Sequence, residues 1–116
     1  MNRHWRLNHL DRPQHWLRMA SISDYNAHNL ADITGVTVRQ LERYFFSDFH
    51  RSPQDWLNEQ RMIAARYLLL EASSVKSVAI QLGFKTASHF SHVFKHYYQV
   101  SPSKYLEYRS VLYPEI

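Results

Sequence analysis

The two glycine residues of this 116-residue chain each end the same short pattern. Gly35 closes the run LADITG and Gly83 closes VAIQLG, with an alanine four residues before each glycine. Each glycine is followed by an apolar residue, a polar turn and a helical pattern of apolar residues. Glycine readily adopts the left-handed conformation that ends helices. The pattern therefore predicts two copies of a unit made of a helix, a tight turn and a second helix.

Residues after the two glycines match between the copies at a constant offset. The glycines lie 48 residues apart, and the offset downstream is 49, which leaves one extra residue in the second turn. The matched pairs are Leu41 with Phe90, Phe45 with Phe94, Ser52-Pro53 with Ser101-Pro102, and Leu57 with Leu106. A helix, a tight turn and a second helix form the helix-turn-helix motif, whose second helix enters the major groove of DNA.

Composition limits the fold and the chemistry of the chain. Hydrophobic residues make up 45% of it, and only four prolines accompany the two glycines, which favours an all-α protein with a real core. The net charge of +4 suits a polyanionic partner. The chain has no cysteine, and so no thiol nucleophile or thiolate metal ligand. With no membrane-length apolar run and no signal-peptide pattern, we expect a cytoplasmic protein that does not contact a membrane.

Capping residues and breakers predict about seven helices in two lobes joined by a long central helix. Serine, threonine and asparagine cap helices, and proline suits the first helical position. The predicted starts are Pro13, Asn26, Thr37, Ser52-Pro53, Ser74, Thr86 or Ser88, and Ser101-Pro102. We expect an N-terminal segment over 1–12, either loose or packed on the domain through Trp5, Leu7 and Leu10, and one domain over 13–116. Within it, lobe one covers about 13–52, the linker helix about 53–71 and lobe two about 72–116.

Apolar residues at helical spacing are expected to form the core of each lobe. The expected inward-facing residues are Trp16, Leu17, Ala20, Ala27, Leu30, Ala31, Ile33, Leu41, Tyr44, Phe45, Phe49, Trp56, Val75, Val78, Ala79, Leu82, Phe90, Val93, Phe94, Tyr97, Tyr105 and Leu106.

The string from Ala27 to Arg109 resembles the DNA-binding domain of AraC/XylS-family transcription regulators. The first half carries LADITGVTVRQLERYFFSDFHRSPQDWLNEQRMIAARYLL. The second half has Ala-x-x-x-Gly-Phe, then Ser-x-Phe-x-x-x-Phe-Lys, then Ser-Pro-x-x-Tyr-x-x-x-Arg. The resemblance implies two helix-turn-helix motifs that enter successive major grooves on one face of double-stranded DNA. RNA polymerase is a further partner expected of such a regulator, and a monomer suffices because both readers lie in one chain.

The chain departs from the family pattern at two places. The family commonly has glycine before Ser-Pro, where this chain has His50-Arg51 and Gln99-Val100. In the second predicted recognition helix, His92 stands where the family often has arginine.

Exposed polar residues of the two predicted recognition helices are the candidate DNA contacts. In the first helix, arginine can donate to guanine and glutamate can accept from cytosine; we expect Arg43 to matter most. In the second, small polar side chains allow close approach to the bases. The full set is Arg39, Gln40, Glu42 and Arg43 in the first helix, and Lys85, Thr86, Ala87, Ser88, His89, Ser91, His92 and Lys95 around the second.

Three other arginines are predicted to be structural. Arg61, Arg66 and Arg109 are expected to form internal salt bridges to Glu59, Asp55 or Glu107.

Two other classes of function compete with DNA binding. The same helices could bind a protein partner without DNA. A metal-dependent enzyme is the weaker alternative, because His89, His92 and His96 share roughly one helix face. Zinc sites need three or four convergent ligands, and no HExxH, GxSxG or phosphate-binding loop is present. We therefore predict no metal, no cofactor and no enzymatic activity.

Overall fold

The computed structural model describes residues 13–71 and 74–112 and is all-α over them, which confirms the predicted fold class. The predicted segment 1–12 lies outside the described residues. The seven helices are α1 (Pro13–Ile22), α2 (Ala27–Thr34), α3 (Val38–Phe49), α4 (Pro53–Glu71), α5 (Val75–Gln81), α6 (Ala87–Tyr98) and α7 (Pro102–Leu112). None of these helices is both long and apolar enough to cross a membrane.

The chain forms two compact units, Met1–Arg61 and Met62–Ile116. The boundary between them falls inside α4, which is a continuous helix of 19 residues. The first unit contains the glycine turn between α2 and α3, and the second contains the glycine turn between α5 and α6. Each unit therefore holds one copy of the sequence repeat.

Both glycine turns use the same pair of backbone hydrogen bonds. Gly35 N–H donates to the Asp32 carbonyl, and Val36 N–H donates to the Ala31 carbonyl. In the second unit, Gly83 N–H donates to Ile80 and Phe84 N–H donates to Ala79. Both glycines have positive φ, 73° and 78°. This is the Schellman arrangement, in which a left-handed residue satisfies the last carbonyls of a helix.

Matching residues also cap the helices of both copies. In each capped helix, the side-chain oxygen of the cap accepts from a backbone N–H three residues later, which is the usual N-cap geometry. The matched caps are Asn26 and Ser74, Thr37 and Thr86, and Ser52 and Ser101. The predicted helix starts are thus confirmed, with Thr86 and not Ser88 as the cap of α6.

An aromatic cluster forms the core of the first unit. The Trp16 ring contacts Tyr44, Phe45, Phe49 and Trp56, at centroid distances of 5.3–6.3 Å. Edge-to-face and stacked aromatic pairs at such distances stabilise beyond simple burial. This cluster fixes α3 against α1 and the start of α4 within the unit.

The prediction of burial is wrong for two residues that were expected in this core. Leu17 is 53% exposed and Ile33 is 43% exposed. The buried face of α2 follows i, i+3, i+4, i+7 spacing, which places Thr34 inside and Ile33 outside. Thr34 tolerates burial because its hydroxyl donates to the Leu30 carbonyl at 2.8 Å.

Gln54 connects the start of α4 to the start of α2. Its side-chain oxygen accepts from Ala27 N–H, and its amide nitrogen donates to the Tyr25 carbonyl, both at 2.9 Å. These bonds satisfy backbone groups at the N-terminal end of α2.

Phenylalanine residues form much of the core of the second unit. Phe90 and Phe94 are fully buried, and the Phe94 ring lies 4.8 Å from Tyr98 and 5.8 Å from Tyr105 between centroids. Tyr97, expected inside, is 39% exposed, because the i, i+4, i+8 stripe from Phe90 continues to Tyr98.

Arg66 and Arg109 stabilise the second unit by contacts other than the expected ion pairs. The Arg109 guanidinium donates to the Leu69 and Leu70 carbonyls at 3.3 and 3.2 Å, near the end of α4. Cations favour the C-terminal end of a helix. The Arg66 guanidinium lies 5.3 Å from the Tyr98 ring centroid, within cation–π range. The predicted structural role is confirmed for both, but their predicted partners are wrong.

Candidate nucleic-acid interface

The exposed face of α3 carries two arginines. Leu41, Tyr44 and Phe45 are buried, and Arg39 and Arg43 project from the opposite side of the same helix. Their i, i+4 spacing makes them neighbours on the helix surface. Glu42 is also exposed, but it lies about 100° around the helix from Arg43.

The exposed face of α6 is polar, with smaller side chains. Phe90 and Phe94 are buried, while Ser88, His92 and Lys95 are exposed on the other side. Lys85 is exposed in the preceding turn, and Ala87 and Ser91 are half-buried. Since α3 and α6 each have 12 residues, each is about 18 Å long.

Three of the predicted contact residues already take part in the local structure. The Gln40 side-chain oxygen accepts from Thr37 N–H at 2.9 Å, which completes a capping box with the Thr37 hydroxyl. Thr86 caps α6 through His89 N–H at 3.0 Å. The His89 ring is packed edge-on against Phe84, with centroids 5.4 Å apart. These residues therefore position the recognition helices as well as lining their surface.

Phe46 was absent from the predicted contact set but lies on the same face of α3. It is 55% exposed, although phenylalanine is usually a core residue. By the 49-residue offset it matches Lys95, which was in the set. The sequence repeat thus places Phe46 at the position that a predicted contact residue occupies in the second copy.

Two arginines, Arg51 just before α4 and Arg61 in the middle of it, belong to internal interactions of the first unit. Arg51 forms an ion pair with Glu59 and donates to the Asp55 carbonyl at 3.1 Å. Burial lowers the pKa of the Arg61 guanidinium, and the nearby charges of Asp24 and Tyr25 oppose that shift. Burial likewise raises the pKa of the Tyr25 hydroxyl. Both pKa shifts arise from the burial of these two groups, and neither group belongs to α3.

The histidines of α6 do not form a ligand cluster. Over residues 13–71 and 74–112, no group of three or more histidine or carboxylate side chains is placed to hold a metal ion.

Two glycine-ended helices, each followed by a capped helix with an exposed polar face, define a double helix-turn-helix domain. A family model described as a helix-turn-helix domain matches residues 30–108, more than half of the chain. The chain belongs to this family, the AraC-type helix-turn-helix domains of DNA-binding transcription regulators.

Two curated relatives are transcription regulators by name. The chain is 33% identical over 84 residues to an uncharacterized HTH-type transcriptional regulator of Haemophilus influenzae, covering 72% of this chain and 28% of the relative. It is 32% identical over 88 residues to the HTH-type transcriptional activator RhaS of an Enterobacter species, covering 75% of this chain and 32% of the relative. The chain therefore spans about a third or less of these relatives.

A solved structure supports the same fold. The chain is similar to a transcriptional regulator from Chromobacterium violaceum with an AraC-type DNA-binding domain, with a TM-score of 0.69 and 28% identity. The match covers 84% of this chain and 94% of that one.

Proposed function

We propose that this chain reads a specific double-stranded DNA site by placing α3 and α6 in successive major grooves. The observation that carries the proposal is the repeated surface: in both units, a capped helix after a glycine turn buries its apolar stripe and exposes polar and cationic side chains. The second helix of a helix-turn-helix reads bases with residues of this kind.

The candidate residues divide into three roles. Arg39 and Arg43 offer planar donors that match guanine, and Glu42 can accept from cytosine. Ser88, His89 and His92 hydrogen-bond base edges or phosphates, and Ala87 meets a thymine methyl. Lys85 and Lys95 contact the phosphate backbone and set the register. Gln40, Thr86 and Ser91 hold the helices at the correct depth.

We further propose that one chain occupies one site and that it works in the cytoplasm, where bacterial DNA lies.

The similarity to RhaS, named as an activator, favours a regulator that raises transcription through contact with RNA polymerase. Transcription in vitro from a promoter carrying the selected site tests this extension. A higher transcript yield with the protein supports activation, and an unchanged or lower yield contradicts it.

Selection from a random duplex pool, followed by gel shift, tests the proposal. We expect enrichment of one asymmetric motif with two sub-sites and a complex of one chain per duplex. The test variant is the double substitution Arg39→Ala, Arg43→Ala. Both side chains are exposed, so the core should be unaffected. It should lose preference in the first sub-site and keep it in the second. Failure of the wild-type chain to enrich any motif would instead favour a protein-interaction module.

A further inference from the structure

Phe46 is an exposed aromatic residue on the surface proposed to read DNA. Positions 39, 43 and 46 are related by i, i+4 and i+7, so they form one stripe about 60° wide around α3. The buried residues Leu41 and Phe45 lie on the other side of the helix. Phe46 is therefore directed to the same side as Arg39 and Arg43.

The neighbouring aromatic residues of α3 form the described aromatic cluster without Phe46. Tyr44, Phe45 and Phe49 all pack against Trp16 in the aromatic cluster. Phe46 is outside this cluster in the described part of the chain and is more than half exposed. Core packing therefore does not explain why an aromatic residue stands here.

Comparison of the two copies points to a role in recognition. The copies share their glycine turns, threonine caps and buried aromatic stripe, yet the position of Phe46 in α3 is held by Lys95 in α6. In the proposed function Lys95 contacts the phosphate backbone, and a phosphate contact carries no sequence information. With Phe46 in place of a lysine, α3 lacks a phosphate contact at this position and has a side chain that can make an apolar contact.

The major groove contains one apolar group that a side chain can contact, the C5 methyl of thymine. Phenylalanine is among the side chains that make this contact. Along α3, Phe46 lies about 4.5 Å beyond Arg43. Since successive bases on a strand are about 3.4 Å apart, the two side chains reach positions one or two base pairs apart.

We propose that Phe46 specifies a thymine in the first sub-site by contacting its C5 methyl group, one or two base pairs from the base read by Arg43. This inference rests on the proposed DNA-binding function. In this proposal α3 reads both guanine and thymine. Lys95, at the matched position of α6, contacts the phosphate backbone of DNA instead.

Deoxyuridine substitution tests the contact directly, because uracil differs from thymine only by the absent methyl group. Each thymine of the selected first sub-site is replaced singly, and Kd is measured at fixed salt for the wild type and for Phe46→Ala. At one thymine we expect the wild type to lose about fourfold in affinity, the factor for one buried methyl group. Phe46→Ala should bind the two duplexes equally.

Two further variants sharpen the test. Phe46→Leu retains an apolar side chain and should keep part of the methyl dependence. Lys95→Ala, the matched change in α6, should weaken binding to both duplexes equally and keep the full methyl dependence.

The outcomes separate this inference from the function on which it rests. If the wild type selects a site but no thymine shows a methyl effect that depends on Phe46, the inference is overturned and the proposed function stands. If the wild type selects no site, both are overturned.

Discussion

At the scale of single residues, the candidate interface contains side chains of two kinds. Gln40 and Thr86 have hydrogen-bond partners within their own helix starts. Arg39 and Arg43 project from α3 and are exposed. Substitution of the first kind changes the stability and position of a recognition helix together with its contacts. Substitution of the second kind reports on DNA contacts more cleanly.

Arg43→Ala should weaken specific binding by about 1–3 kcal/mol and relax the preference at one or two positions of the site. The reason is loss of a planar donor pair that matches guanine in the major groove. Binding to the selected site and to its single-base variants, measured at fixed salt, checks this. Arg18→Ala is the matched control, because Arg18 is an exposed arginine on α1 and is outside the proposed contact set. An Arg43→Ala chain with an unchanged base preference would remove Arg43 from the base-reading set.

At the scale of helices, the repeat is preserved in backbone conformation even where the residue type differs. His50 and Gln99 follow α3 and α6 with φ of 58° and 64°, at matched positions of the two copies. Both lie just before the Ser-Pro starts of α4 and α7, where the AraC/XylS-family pattern commonly has glycine. The left-handed turn is thus kept by residues that adopt it at a cost in conformational energy.

His50→Gly should therefore raise the free energy of unfolding by about 1 kcal/mol, because glycine removes the steric cost of the left-handed conformation. Gly35→Ala, in the same unit, should lower it by about 1–2 kcal/mol for the opposite reason. Urea unfolding without DNA measures both. The prediction would be contradicted if the two changes shifted stability in the same direction.

At the scale of the whole molecule, the net charge of +4 and the two cationic helix surfaces predict strongly salt-dependent binding. With roughly six to ten phosphate contacts, affinity should fall about a thousandfold or more between 50 and 200 mM salt. Titration of labelled duplex over this range gives the slope. Lys95→Ala should reduce the slope by about one phosphate contact. Affinity that is flat with salt would count against binding through the DNA backbone.

The proposal that both recognition helices enter successive major grooves leads to a prediction about the spacing of the two sub-sites. Successive major grooves on one face of DNA are one helical turn apart, so we expect one separation of about 10–11 base pairs between sub-site centres. Inserting five base pairs rotates one sub-site by about half a turn, so specific affinity should fall nearly to that of a single sub-site. A duplex with five base pairs inserted outside the site is the control. Full affinity for the internal insertion would contradict one fixed spacing of the two sub-sites.

The sequence by itself determined the features that depend on neighbouring residues. Gly35, Gly83 and the caps act through hydrogen bonds that span three to five residues, so residue type and order were enough to place them. The same local order gave the repeat, the all-α class and the face of each recognition helix. That is why the candidate DNA contacts could be named from the sequence, apart from Phe46, which was in neither the expected core nor the predicted contact set.

Only the tertiary structure decided which side chains are enclosed and what the buried polar groups contact. Leu17 and Ile33 are apolar but exposed, because burial depends on which face of a helix meets its neighbours, and hydrophobicity alone does not fix that face. Gln54 meets backbone groups 27 and 29 residues away, and Arg109 meets carbonyls 39 and 40 residues away. Such contacts form only after the helices pack, since they join groups brought together by the folded chain. No local pattern in the sequence specifies them.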